Sequence, residues 1–368
     1  MKKHKIIISG GGTGGHIFPA VAIAKAIENE LDNIEFLFVG ARDRMEMQKI
    51  PALGYNIEGL WISGLQRNIS IRNLLFPVKL IYSLFHCFYL LYQFKPDIVI
   101  GTGGFASGPL LFMATLFNIP SLIQEQNSYP GITNRILGKY VQKICVAYDK
   151  MDRFFPKSKL ELTGNPIRKD IIKFADRESE DNSIFLINKN NPTILIVGGS
   201  LGARTINEAI LNNLTYFTDS KINLIWQTGS FFYKKAKKKV KEINGENITV
   251  LDFIKEIDLA YYIADIIVSR AGAIAISELS YVGKPIILVP SPNVAENHQY
   301  KNAQSLVNNK AALLVEDKDA NCKLVSTIMG LVKNNDLKRE LSNNIKKIAV
   351  SDASIRIASI ALGLKNEY

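Results

Sequence analysis

Five glycines and a histidine crowd into Gly10-Gly11-Gly12-Thr13-Gly14-Gly15-His16. Backbone without a Cβ can turn sharply and come close to a ligand. The run follows the apolar Ile6-Ile7-Ile8 and leads into a helical pattern from Val21 to Ile27. Its peptide N–H groups therefore stand at a helix start, where they lack intrahelical partners and carry the positive end of the helix dipole. Such a loop suits a phosphate-type anion, and an imidazole beside it suits proton transfer near neutral pH. Pro19 is expected in the first helical turn, where its missing N–H costs nothing.

The spacing Gly10-x-Gly12-x-x-Gly15 also matches a dinucleotide fingerprint, which needs an acid at the end of the second strand to hold a ribose. That strand reads Glu35-Phe36-Leu37-Phe38-Val39 and runs into Gly40-Ala41-Arg42, with no acid at its tip. NAD is not expected on that ground. A Walker loop is excluded, because no Gly-Lys-Ser/Thr follows any glycine run.

Further constellations carry chemistry. Gly101-Thr102-Gly103-Gly104-Phe105-Ala106-Ser107-Gly108-Pro109 follows a strand and should stand beside the first loop, widening the cradle to suit a pyrophosphate. Gln124-Glu125-Gln126-Asn127 gathers polar side chains at a strand's carboxyl end, either as a site or as a polar loop start. Ser269-Arg270-Ala271-Gly272-Ala273-Ile274-Ala275-Ile276-Ser277-Glu278 reads as a strand end, a glycine turn and a helix start. Glu278 there is suited to two ribose hydroxyls, or simply to the helix dipole. Asn293–Gln299 collects hydrogen-bonding side chains after another strand. No histidine pair has metal-ligand spacing, so no metal site and no cofactor is expected. Asp317-Lys318-Asp319 formally matches an Asp-x-Asp metal motif but is expected to be an exposed turn.

The elements that must position these residues alternate strand with helix. Strands are predicted at Lys5–Ser9, Glu35–Val39, Asp97–Ile100, Ser121–Gln124, Lys143–Ala147, Thr193–Val197, Asn223–Gln227, Ile248–Leu251, Ile266–Ser269 and Pro285–Val289. Such alternation builds an α/β fold of parallel sheets covered by helices on both faces. The pattern restarts at Thr193, whose strand ends in a second glycine loop, Gly198-Gly199-Ser200-Leu201-Gly202-Ala203. Two doubly wound, Rossmann-like domains facing a cleft are implied, 1–165 and 166–349, with Asp176–Asn191 a surface loop. At 368 residues, 47% hydrophobic and 21% charged, the chain can bury two ordinary cores. Three scattered cysteines, Cys87, Cys145 and Cys322, read as reduced thiols in a cytosolic setting. The basic start Met1-Lys2-Lys3-His4-Lys5 precedes a strand rather than a signal peptide.

The net charge of +11 includes Lys234-Lys235-Ala236-Lys237-Lys238-Lys239, expected to be a solvated helix face. No nucleic-acid motif accompanies it, so an anionic membrane surface or a phosphorylated substrate is the better partner. Leu74 to Phe94 carries one formal charge, Lys79. By hydropathy alone it could span a bilayer. Its place between two strands of one sheet opposes a span, leaving a buried core helix or a membrane-docking face. Arg67, Arg72 and Lys79 favour docking on anionic headgroups.

Taken in order, GGTGGHIFPA (Gly11–Ala20), GTGGFASGP (Gly101–Pro109), QEQN (Gln124–Asn127), GNPIR (Gly164–Arg168), GGSLGA (Gly198–Ala203), SRAGAIAISE (Ser269–Glu278) and HQYKNA (His298–Ala303) resemble one family over nearly the whole chain. It is the bacterial UDP-N-acetylglucosamine:N-acetylmuramyl-(pentapeptide) pyrophosphoryl-undecaprenol N-acetylglucosaminyltransferase (MurG) family. The resemblance implies the GT-B fold, with a C-terminal helix (350–368) returning to the first domain. It implies inverting, metal-independent transfer of GlcNAc from UDP-GlcNAc to the 4-hydroxyl of lipid I, giving lipid II. The implied setting is peripheral, on the cytoplasmic face of the inner membrane, with cell-wall synthesis proteins as partners. Arg168, Ser200, Ile254, Ala273, Ile274, Ala275, Ile276, Ser277, Glu278 and Gln299 would bind the donor. Thr13, Gly14, Gly15 and Asn127 would face the GlcNAc. Gly12, Thr13, Gly14, Gly103 and Gly104 would meet the acceptor pyrophosphate, with His16 as candidate base. Gln124 stands where the family often has histidine, and Ala271 where it often has serine. Rival readings are another GT-B enzyme using UDP-sugars, such as a glycolipid synthase or a UDP-GlcNAc epimerase, and a non-catalytic nucleotide-sugar-binding membrane module.

Overall fold

The structure is a computed structural model that describes residues 3–64, 74–172, 185 and 187–367. Two compact units divide the chain, one formed by 1–167 with 352–368 and the other by 168–351.

The first unit is built on seven parallel strands. They are β1 (His4–Gly10), β2 (Ile34–Ala41), β3 (Asn56–Leu60), β4 (Ile98–Gly103), β5 (Ser121–Glu125), β6 (Lys143–Val146) and β7 (Leu160–Leu162), in the order β3-β2-β1-β4-β5-β6-β7. β3 and β7 lie outside the predicted strands. Both are sheet edges, short or half polar, so neither shows the apolar run of a central strand. The order reverses between β1 and β4, and the two glycine loops leave those strands side by side. A crevice at such a switch point is where open α/β sheets take ligands.

Helices α1 (Gly14–Glu30), α2 (Glu46–Lys49), α3 (Phe76–Phe94), α4 (Ser107–Leu116) and α5 (Ile132–Leu137) follow these strands. α1 begins at Gly14, so Pro19 lies in its second turn and not its first. Gly14 and Gly15 of the glycine run are already helical, and Pro19 cannot donate to the carbonyl of Gly15. The last helix of the chain packs on α1. Its Ile357, Ala358, Ala361 and Leu364 are buried in the same core as Ile8, Ile17, Ala20 and Ile100. Burying Ile357 and Leu364 is worth about 3–6 kcal/mol by apolar area.

The second unit repeats the plan with β8 (Thr193–Val197), β9 (Asn223–Gln227), β10 (Ile248–Leu251), β11 (Ile266–Ser269), β12 (Ile286–Leu288) and β13 (Leu313–Leu314), all parallel, ordered β10-β9-β8-β11-β12-β13. The switch point lies between β8 and β11, where the glycine loop 198–203 and the turn before Glu278 emerge. Helices are α6 (Lys169–Ile172), α7 (Arg204–Leu211), α8 (Leu214–Asp219), α9 (Ser230–Glu242), α10 (Ile257–Ile263), α11 (Ala273–Val282), α12 (His298–Asn308), α13 (Ala320–Lys333) and α14 (Asn335–Lys346); the C-terminal helix of the first unit is α15 (Ala353–Glu367). The lysine run lies on α9, where Ala236 is buried. Of the predicted surface loop, 176–184 and 186 lie outside the described residues, as do Arg67 and Arg72.

Candidate active site

In the first unit the loops after β1 and β4 touch backbone to backbone. Gly11 N donates to Gly103 O at 3.3 Å, and a Cβ on Gly104 would lie 2.5 Å from Gly11 O. Gly103 and Gly104 both have positive φ, 100° and 93°. Only glycine fits such a position without strain. The loops therefore form one body, and the half-buried His16 ring lies over Gly103: a Cβ there would sit 3.1 Å from Nε2.

His16 Nδ1 lies 2.8 Å from Gly11 O. A carbonyl oxygen only accepts, so Nδ1 carries a proton, and whenever the ring is neutral its lone pair is on Nε2. The ring's backbone is held as well, since Thr102 Oγ1 donates to His16 O at 2.8 Å. The arrangement sets up a base whose reactive nitrogen lies at the glycine loops.

An acid that carries no signal in the sequence completes the loop. Glu46, at the start of α2, is fully buried. One carboxylate oxygen accepts from Ala41 N at 3.0 Å and the other from Gly12 N at 2.9 Å. Gly40 makes room for it, because a Cβ there would lie 2.5 Å from Glu46 Cγ. The tip of β2 thus does have its acid, turned inward. The N–H of Gly12, expected at the acceptor pyrophosphate, is thus engaged by a carboxylate inside the loop. Thr13 is the extended N-cap residue of α1 and Gly14 and Gly15 open its first turn, all three exposed or half-buried.

The polar run after β5 divides. Gln124, Glu125 and Gln126 are buried posts, not surface contacts. Gln124 Nε2 donates to Asn165 Oδ1 at 2.8 Å, and Gln126 Nε2 to Thr102 O at 2.7 Å. The Glu125 carboxylate accepts from Asn127 N, Asn127 Nδ2, Gly131 N and Asn134 Nδ2. Burial raises its pKa, against the pull of these donors. Asn127 alone of the four is half-buried at the surface, held in place by Glu125.

The second unit has a cavity of about 510 Å³ at its switch point, lined by residues that include Gly199, Arg270, Gly272, Ala275, Ser291 and Gln299. Gly199 and Gly202 have positive φ, which turns the loop after β8 tightly back on itself. Gln299 is anchored there, its Oε1 accepting from Ser291 N at 2.8 Å. Ser200 is exposed in the adjoining loop. Arg270 Nη1 donates to Val289 O at 2.9 Å and to Asp317 Oδ1 at 2.5 Å, and Thr205 Oγ1 donates to Asp317 Oδ2 at 2.9 Å. Asp317 is therefore a half-buried wall residue of the cavity and not part of an exposed turn. Its charge neutralises Arg270 and holds it against β12.

Beside the cavity, Arg168 and Glu278 form a bidentate ion pair, Nε to Oε1 at 2.6 Å and Nη2 to Oε2 at 2.8 Å. The Glu278 side chain is 6% exposed and that of Arg168 42%. The hydrogen bond to Glu278 raises the Arg168 pKa further. Tyr261 is buried, which raises its phenol pKa, and the charge of Glu278 adds to the rise. Two of the expected donor contacts change character. Ile254 is buried and its N–H already donates to Gln227 Oε1 at 2.9 Å. Ile276 is a core residue whose N–H bonds Gly272 O. Ala273, Ile274, Ala275 and Ser277 are half-buried on the first turns of α11.

α3 presents two apolar faces. Ser83, Cys87, Leu90 and Leu91 are buried, while Val78, Ile81, Phe85, Phe88, Tyr89 and Tyr92 are exposed. Phe117 at the end of α4 extends this surface, its ring 5.5 Å from Phe88. No helix among the described residues is long and apolar enough to cross a membrane.

Residues 6–146 match the glycosyltransferase family 28 N-terminal domain, and residues 193–357 match the glycosyltransferase family 28 C-terminal domain. A Cytophaga hutchinsonii protein named UDP-N-acetylglucosamine--N-acetylmuramyl-(pentapeptide) pyrophosphoryl-undecaprenol N-acetylglucosamine transferase is 53% identical, over 97% of this chain and 96% of that protein. A Flavobacterium psychrophilum protein of the same name is 48% identical, over 96% of each. The crystal structure of Acinetobacter baumannii MurG superposes with a TM-score of 0.80 at 27% identity, covering 98% of this chain and 99% of that one. A UDP-GlcNAc 2-epimerase from Neisseria meningitidis shares the fold alone, with a TM-score of 0.66 at 16% identity over 98% of this chain and all of that one. With two parallel-sheet α/β units, a family match in each and full-length relatives near half identity, the chain belongs to glycosyltransferase family 28, GT-B in fold, and within it to the UDP-N-acetylglucosamine--N-acetylmuramyl-(pentapeptide) pyrophosphoryl-undecaprenol N-acetylglucosamine transferases.

Proposed function

We propose that the chain transfers GlcNAc from UDP-GlcNAc to the 4-hydroxyl of the muramyl sugar of lipid I, giving lipid II for peptidoglycan synthesis. The observation that best supports a catalytic role is His16, whose Nδ1–H is tied to Gly11 O so that Nε2 holds the lone pair. Nε2 takes the proton of the acceptor hydroxyl as that oxygen bonds to the anomeric carbon of GlcNAc. The bond from that carbon to the UDP oxygen breaks, and its electron pair leaves with UDP. A single displacement inverts the anomeric centre. Charge on the leaving pyrophosphate is met by the amides of the loop 198–203 and the first turn of α11, with no metal ion required.

The donor is assigned to the cavity of the second unit. The Glu278 carboxylate has about four lone-pair sites, and Arg168 uses two of them. The other two suit the ribose hydroxyls. Ser200, Ala273, Ile274, Ala275 and Gln299 complete the donor set, with the carbonyl of Ile254 toward the base. Thr13, Gly14, Gly15 and Asn127 serve the sugar and the acceptor pyrophosphate. The exposed face of α3, with Lys79 at its edge, supports peripheral docking on the cytoplasmic leaflet, where the polyprenyl acceptor resides.

Transfer from radiolabelled UDP-GlcNAc to a lipid I analogue, with EDTA present and UDP followed in parallel, tests this reading. Labelled disaccharide lipid at stoichiometric UDP is expected. His16→Ala should lower turnover by about 10²-fold or more, the range for a lost general base, with UDP-GlcNAc affinity retained. UDP release without labelled lipid would overturn the acceptor, and turnover within a few fold in His16→Ala would overturn the base.

A further inference from the structure

The contacts of Glu46 and His16 meet on one peptide group. The N–H of Gly12 donates to the buried Glu46 carboxylate at 2.9 Å, and the C=O of the same peptide unit, on Gly11, accepts from His16 Nδ1 at 2.8 Å. We propose that Glu46 is a positioning residue for His16, acting through the Gly11–Gly12 peptide as an acid–peptide–imidazole relay. The carboxylate draws on the amide N–H, amide resonance places more negative charge on the carbonyl oxygen, and that oxygen holds the Nδ1 proton more firmly. Hydrogen bonds in series polarise one another by roughly 10–30% per bond. The imidazolium formed when Nε2 takes a proton is stabilised by the same route.

Three features of the fold fit this relay. The Glu46 carboxylate is fully buried, so its charge is spent on the two amides it meets, Ala41 N and Gly12 N. Gly11 and Gly40 lack the Cβ atoms that would collide with the Glu46 side chain. Gly103 and Gly104 press on the far side of the peptide, with Gly103 O accepting from Gly11 N, so the carbonyl cannot swing away from the ring. The glycine run of the first loop is thereby explained by an internal anion as well as by an external one.

The kinetic part of this inference rests on His16 being the base; the structural part does not. Glu46→Gln offers one acceptor oxygen and sets an NH2 group against one of the two amides. It is expected to lower kcat by about 10–100-fold, the range known for partners that orient metal-bound histidines, with KM for UDP-GlcNAc unchanged. Losing the carboxylate disfavours the imidazolium, so the acid limb of the kcat profile moves to lower pH. In 15N-histidine spectra the wild-type ring should show a protonated Nδ1, and the variant a mixture of tautomers with a lower His16 pKa. Glu46→Asp, which keeps the charge but retracts it, should fall between the two and serves if Glu46→Gln does not fold. A wild-type tautomer and His16 pKa in whichever variant folds would overturn the relay. A shifted tautomer together with full turnover in His16→Ala would instead uphold the relay and remove the base.

Discussion

Replacing Glu278 by glutamine isolates what the Arg168 pair does for the donor site. The side chain keeps its shape, but an NH2 group now faces one guanidinium donor in place of an oxygen. One charge-assisted hydrogen bond, at 2.6 or 2.8 Å, is lost. Such bonds are worth about 1.5–3 kcal/mol, and Arg168 can recover part of that from water because its side chain is 42% exposed. A net loss of about 1–2 kcal/mol is therefore expected, or roughly 2–8 °C in the melting temperature of a domain of this size. The donor suffers more. The ribose hydroxyls lose acceptor capacity and the remaining oxygen is neutral, so KM for UDP-GlcNAc should rise about 10–100-fold, equivalent to about 1.4–2.8 kcal/mol. The assay is steady-state transfer with varied UDP-GlcNAc, alongside calorimetric binding and thermal unfolding. A KM within about threefold of wild type at the expected stability loss would refute the ribose assignment, leaving the ion pair structural.

Two further outcomes follow from the first unit. Phe85 and Tyr92 are 71% and 70% exposed on α3. Changing both to serine should weaken binding to anionic vesicles about tenfold or more, given about 1.5–3 kcal/mol for each aromatic ring removed from water; sedimentation unchanged from wild type would refute docking by this face. His86 on the same helix is held below its ordinary pKa of 6.5, first by burial and secondarily by Arg42, against the pull of Glu58. A base with a lowered folded pKa is protonated first in the unfolded chain, so its contribution is full above about pH 6.5 and is lost as pH falls below that value. His86→Leu should flatten the loss of stability between about pH 7 and pH 5.5, read by urea unfolding, and an unchanged slope would exclude His86 as its source.

The central strands and their glycine loops were legible in the chain because they combine two strong local signals. A strand buried on both faces must be continuously apolar, as Ile6-Ile7-Ile8 and Ile194–Val197 are, and a loop that meets another backbone must lack side chains. Both conditions act on neighbours in sequence, and so did the apolar run of α3. Edge strands β3 and β7 escaped because a half-exposed strand needs no such run. The start of α1 was misplaced because glycines already in helical conformation look like loop.

What only the tertiary structure decided concerns polar groups that are partnered across the sheet. Glu46 reads as an unremarkable acid in Met45-Glu46-Met47, yet folding carries it under the first glycine loop. Asp317 reads as a turn residue until Arg270, far away in the chain, neutralises it. Gln124, Gln126 and Ile254 look available until the amides and carbonyls around them are counted. A buried polar group must find a partner, and sequence shows the need for one without showing which distant residue answers it. Residue types and spacing thus determined the fold and the chemistry that these loops can perform. Which amides face a ligand and which are already taken was settled by parallel strands that bring distant loops to one edge.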